Sequence, residues 1–501
     1  MHKNHSYGQI LKSSSIIGGA QGINYLIAMV RTKVVAVLLG PSGVGLVGLY
    51  VSATGLVSTV AGFGISSSGV REVADAHGSN KAEQIARTVK TLRRVCWVTG
   101  ILGWLLCASL SYPLSVYAFG SEEHAWAIAI LGVTILISSV SGGQSALIQG
   151  TRRIGDLARM NVLGAVSGTM VAVGLYAWLG QKGIVPVIIV TAVINLGFSW
   201  WFARKIPVSP ITLTWSETLG NSKRLIHIGA AFMYGTIIGS VVDLMIRSLI
   251  VKNFGLDANG VYQAAWGISG MFAAFILNAM GTDFYPRLTA VAQDNEHVNR
   301  LVNEQTEIGI LLALPGLLGT LAFAPLAIHL FYTVKFLPGA ALLPWFVVGV
   351  FGQVISWPLG TIQMAKGATK WMFFTRTEYG VVYLGLTMLL IKNHGLTGIA
   401  WAFALFTYIH GLVVFVIARR LSKFTWSPAA GRLFLAAFGI IGSAFVILKL
   451  TNGLFELVLG ALITGVACLV SLRGISARLG EHHRIVTLAL KFPGARLVCG
   501  L

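Results

Sequence analysis

The chain has 501 residues, 55% of them hydrophobic and only 11% charged, with a formal net charge of +20. Soluble proteins carry about 25% charged residues, and no single water-soluble core absorbs this much apolar sequence. An ordinary soluble domain is therefore excluded, and the 59 glycines fit membrane helices, where glycine is frequent.

A spanning helix needs about 20 mostly apolar residues. Stretches free of Asp, Glu, Lys and Arg predict the first six at Ser13–Val30, Val34–Val70, Val95–Ser121, His124–Thr151, Met160–Gln181 and Gly183–Ala203. No small-residue cleavage site follows the first, and apolar sequence runs on, so no removable signal peptide is expected. A polar stretch over Ala203–Arg224 comes next. Beyond it lie Leu225–Val242, Ala258–Thr282, Ile308–Val334, Phe336–Ala365, Trp371–Ile391 (which carries Arg376 and Glu378) and Asn393–Ala418. Two shorter stretches, Leu433–Leu448 and Leu457–Leu472, bring the expectation to about 14 spans, all α. The domain reading is an N-terminal lobe (1–205), a linker (206–224), a C-terminal lobe (225–420), two further spans (421–475) and a basic tail (476–501).

An even number of spans puts both termini on one side. One alternating set of loops, running from Lys3 through Arg93, Arg94, Arg152, Arg204, Arg287, Lys366 and Arg420 to Arg496, holds 29 of the 37 Lys and Arg. The opposite set holds five: Lys182, Lys252, Lys335, Lys392 and Lys449. The positive-inside rule places the richer set and both termini in the cytoplasm. The +20 is thus a topology signal. A nucleic-acid partner would need a basic patch on an aqueous domain, and no loop is long enough to form one. Cys96, Cys107, Cys468 and Cys499 show no metal or redox spacing.

The remaining three basic residues, Arg31, Lys33 and Arg247, fall within predicted helices. Two of them head a weak repeat. Arg31 is followed by Gly40 and Gly45, and Arg247 by Gly255 and Gly260, each set leading into a Gly-rich second helix. Repeated halves are common in transporters, with the substrate site between them. If the first helix ends near Leu39, Arg31 lies about 12 Å from its outer end, and Arg247 equally deep relative to Phe254. A charge at that depth is costly and usually faces a cavity or a partner. Two readings stand for the arginines: a shared cavity where planar guanidinium groups hold a phosphate, or snorkelling to the interface. Lys33, about 200° around the helix from Arg31, is as readily a snorkelling residue as a functional one.

Asp243 lies one turn before Arg247 on the same face. It either compensates Arg247 or takes up a proton or sodium ion when cargo leaves, and Glu378 is a second carboxylate of this kind. His329 and His410 also lie in apolar segments, where a lone histidine is more often a hydrogen-bonded structural residue. Trp200, Trp201, Trp371 and Tyr332 sit at helix ends, as aromatic belts do.

The segment Gly260-Val-Tyr-Gln-Ala-Ala-Trp-Gly-Ile-Ser-Gly, with Asp283-Phe-Tyr-Pro-Arg-Leu-Thr, resembles the Wzx-type flippases. So do Lys335-Phe-Leu-Pro-Gly, Gln363-Met-Ala-Lys-Gly, His394-Gly-Leu-Thr-Gly-Ile-Ala and Leu39-Gly-Pro-Ser-Gly-Val-Gly. The resemblance covers residues 9–420 and extends to the superfamily of lipid II flippases and MATE exporters. It implies two six-helix lobes in a bacterial inner membrane and alternating access driven by a proton or sodium gradient, with no bound cofactor. The implied cargo is an undecaprenyl-pyrophosphate-linked oligosaccharide of the O-antigen kind, and the implied surroundings are membrane lipids and other membrane proteins of the polysaccharide pathway. Arg31 and Arg247 match arginines of related flippases in the first and seventh helices; the two spans after Ala418 depart from the family pattern. Two alternatives remain. A MATE-like drug exporter would have an acidic or aromatic cavity, as cations require. A polyprenyl glycosyltransferase or polymerase would need catalytic groups on large outer loops, and the acidic pair Glu122-Glu123 is explained by helix capping.

Overall fold

A computed structural model describes residues 2–78, 81–450 and 453–479; side chains are described from residue 22 on, apart from 272–276, 278–283 and a few single positions. The expected basic tail lies, from residue 480 on, outside the described residues. Every element is a helix, and no strand occurs among the described residues. Ten stretches of the described chain are long and apolar enough to cross a membrane, and the protein is an all-α, multi-pass membrane protein.

Four of these stretches are too long for one crossing. They run over Gly22–Gly62, Ile154–Ala203, Met233–Met271 and Thr369–Ser422, with 41, 50, 39 and 54 residues. A straight helix of about 40 residues is about 60 Å long, twice the hydrocarbon thickness of a bilayer. Each stretch breaks near its middle at a glycine with positive φ: Gly40 (65°), Gly180 (56°), Gly255 (84°) and Gly395 (58°). Only glycine enters that region at little steric cost. The breaks at Gly180 and Gly395 reverse the chain. A Cβ on Gly183 would lie 2.9 Å from the Leu175 carbonyl oxygen, and one on Gly398 2.4 Å from that of Leu390. Residues eight apart in a straight helix are about 12 Å apart. Two of the charge-free windows stop short of these breaks. The windows end at Val30 and Val242, but the breaks fall at Gly40 and Gly255, because Arg31, Lys33, Asp243 and Arg247 lie inside helices.

The chain packs as two compact units. The first comprises the residues up to Gly260 together with Phe331–Thr333. It holds α1 (His2–Gly62), α2 (Ile65–Gly78), α3 (Ala82–Ser109), α4 (Ser111–Phe119), α5 (Ala125–Leu131), α6 (Val133–Gly150), α7 (Ile154–Leu179), α8 (Ile184–Ala203) and the first part of α9 (Trp215–Ala290). One apolar cluster gathers Leu39, Tyr50, Ile128, Leu131, Tyr176 and Ile184. A second gathers Val73, Leu92, Cys96, Leu147 and Phe202. The polar connection before α9 is tied to α3: Lys90 donates to the Ile211 carbonyl, and Arg94 to the Thr214 carbonyl and Thr218 Oγ1. Thr214 and Glu217 then start α9 as a reciprocal capping box, with Thr214 N–H donating to Glu217 Oε2 at 2.7 Å and Glu217 N–H to Thr214 Oγ1 at 3.2 Å. The Thr214 N–H and hydroxyl hold the Glu217 carboxyl below its usual range.

Within this unit the two repeats touch at their second glycines. A Cβ on Gly45 would lie 2.2 Å from the Leu256 carbonyl oxygen, and one on Gly260 2.0 Å from that of Pro41. Asn259 Nδ2 closes the junction by donating to the Gly45 carbonyl at 2.7 Å. A similar approach joins Gly64 and Gly229, where added Cβ atoms would lie 2.4 Å from the Gly229 oxygen and 2.1 Å from the Phe63 oxygen.

The second unit begins at Val261 and adds α10 (Asn295–Ala322), α11 (Ala324–Phe331), α12 (Leu343–Ala365), α13 (Thr369–Ser422), α14 (Pro428–Leu450) and α15 (Leu454–Leu479). Small residues let α12 and α13 close on each other: a Cβ on Gly349 would meet Phe403 at 2.4 Å. The last helix docks on α10 through Gly460 against Ala322 and an Arg478–Glu307 ion pair of 2.6 Å. Large apolar side chains such as Met170, Trp178, Leu389 and Leu412 are turned outward, as lipid requires.

Candidate functional site

Four helices of the first unit, α1, α6, α7 and α8, surround a cavity of about 520 Å³. This falls in the size range of small-ligand sites. Its polar lining comes from helical periodicity on each wall. Asn24 and Arg31 stand two turns apart on α1; Ser138, Ser141 and Ser145 follow one another on α6; Asn161 and Gly164 share a face of α7; Thr191 and Asn195 are one turn apart on α8.

Among the described residues no carboxylate contributes to the lining, and none lies within ion-pair distance of Arg31. The cavity therefore presents one guanidinium and a set of neutral amides and hydroxyls. Asn24 Oδ1 and Thr191 Oγ1 are buried without a hydrogen-bond partner. Buried polar atoms are nearly always paired, so these two are exceptions in the cavity wall. Other groups are already held: Ser141 donates to Ser199, and Ser199 donates to Gln144 Oε1 at 2.6 Å. Gly164 leaves room for the Asn195 amide, since a Cβ there would lie 2.3 Å from Oδ1.

Arg247 does not line this cavity. It is 5% exposed, and its Nε donates to both Asp243 oxygens, at 3.0 and 2.9 Å. Asp243 Oδ2 also accepts from Ser52 Oγ on α1. Lys33 points away from Arg31 and donates to the Tyr332 carbonyl. Glu378 lies in the second unit, 2.6 Å from Nδ1 of His410. The predicted site residues thus separate into four places: Arg31 on the cavity, Arg247 with Asp243, Lys33 on the Tyr332 carbonyl, and Glu378 with His410.

Sequence reasoning missed Asn24, Asn161, Asn195 and the serine row of α6. The signal was present as uncharged polar residues recurring at helical spacing within apolar segments. A scan for charges passes over it.

Comparisons with known proteins agree with this architecture. The Lipid III flippase of Escherichia coli (strain K12) is 21% identical over 75% of this chain and 90% of its own. The teichuronic acid biosynthesis protein TuaB of Bacillus subtilis (strain 168) is also 21% identical, over 71% of this chain and 74% of its own. Among solved structures, the lipid II flippase MurJ in an inward closed conformation superposes with a TM-score of 0.67 at 15% identity, covering 92% of this chain and 99% of the other. An inward-facing MATE-family transporter of the MOP superfamily gives 0.65 at 16% identity, over 80% and 95%. These structures share the fold. The sequence profile described as "Polysaccharide biosynthesis protein" matches residues 34–341; it spans well over half of the chain, and the protein belongs to that family.

Proposed function

We propose that this protein is a flippase that carries a lipid-linked oligosaccharide across the membrane by alternating access. The observation that carries the reading is the cavity: a single guanidinium among amides and hydroxyls, with no carboxylate on its walls. A guanidinium gives a phosphate two parallel charge-assisted hydrogen bonds. Amides and hydroxyls offer both donors and acceptors, which matches a sugar. An exporter of cationic drugs would need acidic or aromatic walls instead. The similarity to the Lipid III flippase points the same way.

In this reading the cargo is an undecaprenyl-pyrophosphate-linked oligosaccharide, taken up from the cytoplasmic leaflet of a bacterial inner membrane. Arg31 holds the pyrophosphate, and Asn24, Asn161, Asn195 and Thr191 meet the first sugars. Arg247, paired with Asp243, holds the junction of α1 and α9 in a charge-compensated state. Lys33 anchors α1, just before its break at Gly40, to Tyr332. The chain crosses the membrane fourteen times with both termini in the cytoplasm, as the distribution of basic residues requires, and the lobes of residues 1–205 and 225–420 alternate access. A cation gradient drives the cycle.

The test is reconstitution of the purified full chain into vesicles with a fluorescent polyprenyl-pyrophosphate oligosaccharide, scoring its exposure to an external quencher. Protein-dependent equilibration that Arg31→Ala removes is the expected result. Equilibration of a lipophilic cation, with none of the lipid-linked sugar, would overturn the reading in favour of drug export.

A further inference from the structure

We infer that Glu378 and His410 form a proton-carrying site in the second unit, loading and releasing one proton per transport cycle. The inference rests on the flippase reading for its role in the cycle, but the site itself stands on geometry.

The topology explains why the two residues meet. They lie on either side of the break at Gly395, 17 residues before it and 15 after it. The reversal there sets equidistant residues of the two halves of α13 side by side. Glu378 Oε2 lies 2.6 Å from His410 Nδ1, about 14 Å along the helix from Thr369. A pair this deep in a spanning segment is a functional candidate by default.

Burial sets the chemistry. The Glu378 side chain is 7% exposed and that of His410 24%, so the histidine is the more accessible partner. Oε1 of Glu378 is buried with no hydrogen-bond partner. Among the described residues the neighbours are apolar or neutral. The Phe406 ring lies 5.4 Å from His410 and against Tyr379 and Tyr383. Thr375, one turn before Glu378, is 3.5 Å from Gln363 of α12. No Asp, Glu, Lys, Arg, His, Tyr or Cys occurs in α12 between Leu343 and Ala365. On α10, Glu307 is already engaged by Arg478. On α13 itself, Arg376 is exposed and about 200° around the helix from Glu378.

With one proton between them, Glu378 and His410 carry no net charge, whether as carboxylate with imidazolium or as acid with imidazole. Loss of that proton leaves an uncompensated carboxylate in a dry site, which is expensive. Loading therefore accompanies closure of the site, and release to water accompanies its opening. No bond other than those to the proton is made or broken. A metal cation fits poorly, because hard cations collect several oxygen ligands, whereas the single carboxylate here is faced by an imidazole nitrogen.

Two measurements on the full chain in lipid test this. The first is infrared difference spectroscopy, which follows the carboxyl and imidazole bands of the wild-type protein as the pH is stepped. One carboxyl–imidazole proton change should appear in wild type and vanish in Glu378→Gln. The second is cargo flux in vesicles with an imposed pH difference. Each pH unit should move the wild-type leaflet ratio by up to about tenfold, and Glu378→Gln should equilibrate cargo while losing that response. A wild-type protein in which neither the carboxyl nor the imidazole band of the pair changes overturns the inference and needs no variant to fold. A Glu378→Gln protein that still follows the pH gradient also overturns it. Titration without any lipid flux would overturn the flippase reading while leaving the proton site intact.

Discussion

Arg31 and Arg247 hold corresponding places in the two repeats, each before a glycine of positive φ and a second glycine packed on the other repeat's backbone. Their surroundings are opposite. Arg31 lines a polar cavity without carboxylates; Arg247 is buried against Asp243, with Ser52 adding a further hydrogen bond to that carboxylate. The difference teaches what a repeat conserves. A close backbone approach admits nothing but glycine, so it binds both copies alike. A buried charge can be compensated locally, and once compensated it is withdrawn from ligands.

The largest effects should come from the shared backbone. Gly45→Val and Gly260→Val each place a side chain within 2.2 Å of a carbonyl that cannot rotate away. Overpacking of this kind costs about 3 kcal/mol or more. Both variants should leave this conformation, and by similar amounts. A cysteine at Val44, buried here, should become reactive to a maleimide in either variant, in a background without Cys468 and Cys499. Reaction in one variant only would show that the two glycines are not equivalent.

Next comes the cavity. A bidentate charge-assisted contact is worth roughly 1.5–3 kcal/mol, or about 10- to 150-fold. Arg31→Ala should therefore reduce cargo movement by that factor at equal protein abundance. Arg31→Lys should restore it only in part, because the planar fork is lost. If lysine serves as well as arginine, Arg31 contributes charge alone.

On the compensated side the effect should fall on stability. Asp243→Asn leaves the buried Arg247 guanidinium without its carboxylate. Removing one partner of a fully buried pair costs about 3–5 kcal/mol, but the Asp243 side chain is 38% exposed, and about 1–3 kcal/mol is expected after screening. Thermal unfolding of the purified protein should show the loss, and adding Arg247→Gln should recover much of it. A double variant as unstable as Asp243→Asn alone would mean that Asp243 has a duty besides Arg247.

How much of this was legible in the sequence depends on the range of each interaction. Gly40 and Gly255 were visible because a break in a long apolar run needs a local residue, and the spacing Arg–Gly–Gly occurs twice. The Asp243–Arg247 juxtaposition was equally local, one helical turn. The cavity was not legible: Asn24, Ser141, Asn161 and Asn195 lie on four helices, and nothing in any one of them indicates that the others converge. The Glu378–His410 contact spans 32 residues and follows only from the hairpin at Gly395.

The smallest effect should be at Lys33, and it decides which basic residue of the first repeat serves the cargo. Lys33 stands two residues from Arg31, on another face of α1, and donates to the Tyr332 carbonyl. The corresponding position of the second repeat is Leu249, so this anchor belongs to one repeat only. Lys33→Met keeps the length and apolar stem of the side chain and removes the donor. A hydrogen bond from a charged group contributes about 1.5–3 kcal/mol at most, and less near water, so a loss of about 1 kcal/mol in stability is expected with cargo flux within about twofold of wild type. Calorimetry and the vesicle assay report the two quantities separately. A flux loss as deep as that of Arg31→Ala, at unchanged stability, would place Lys33 in the cargo site and undo the assignment of Arg31 as its single cation.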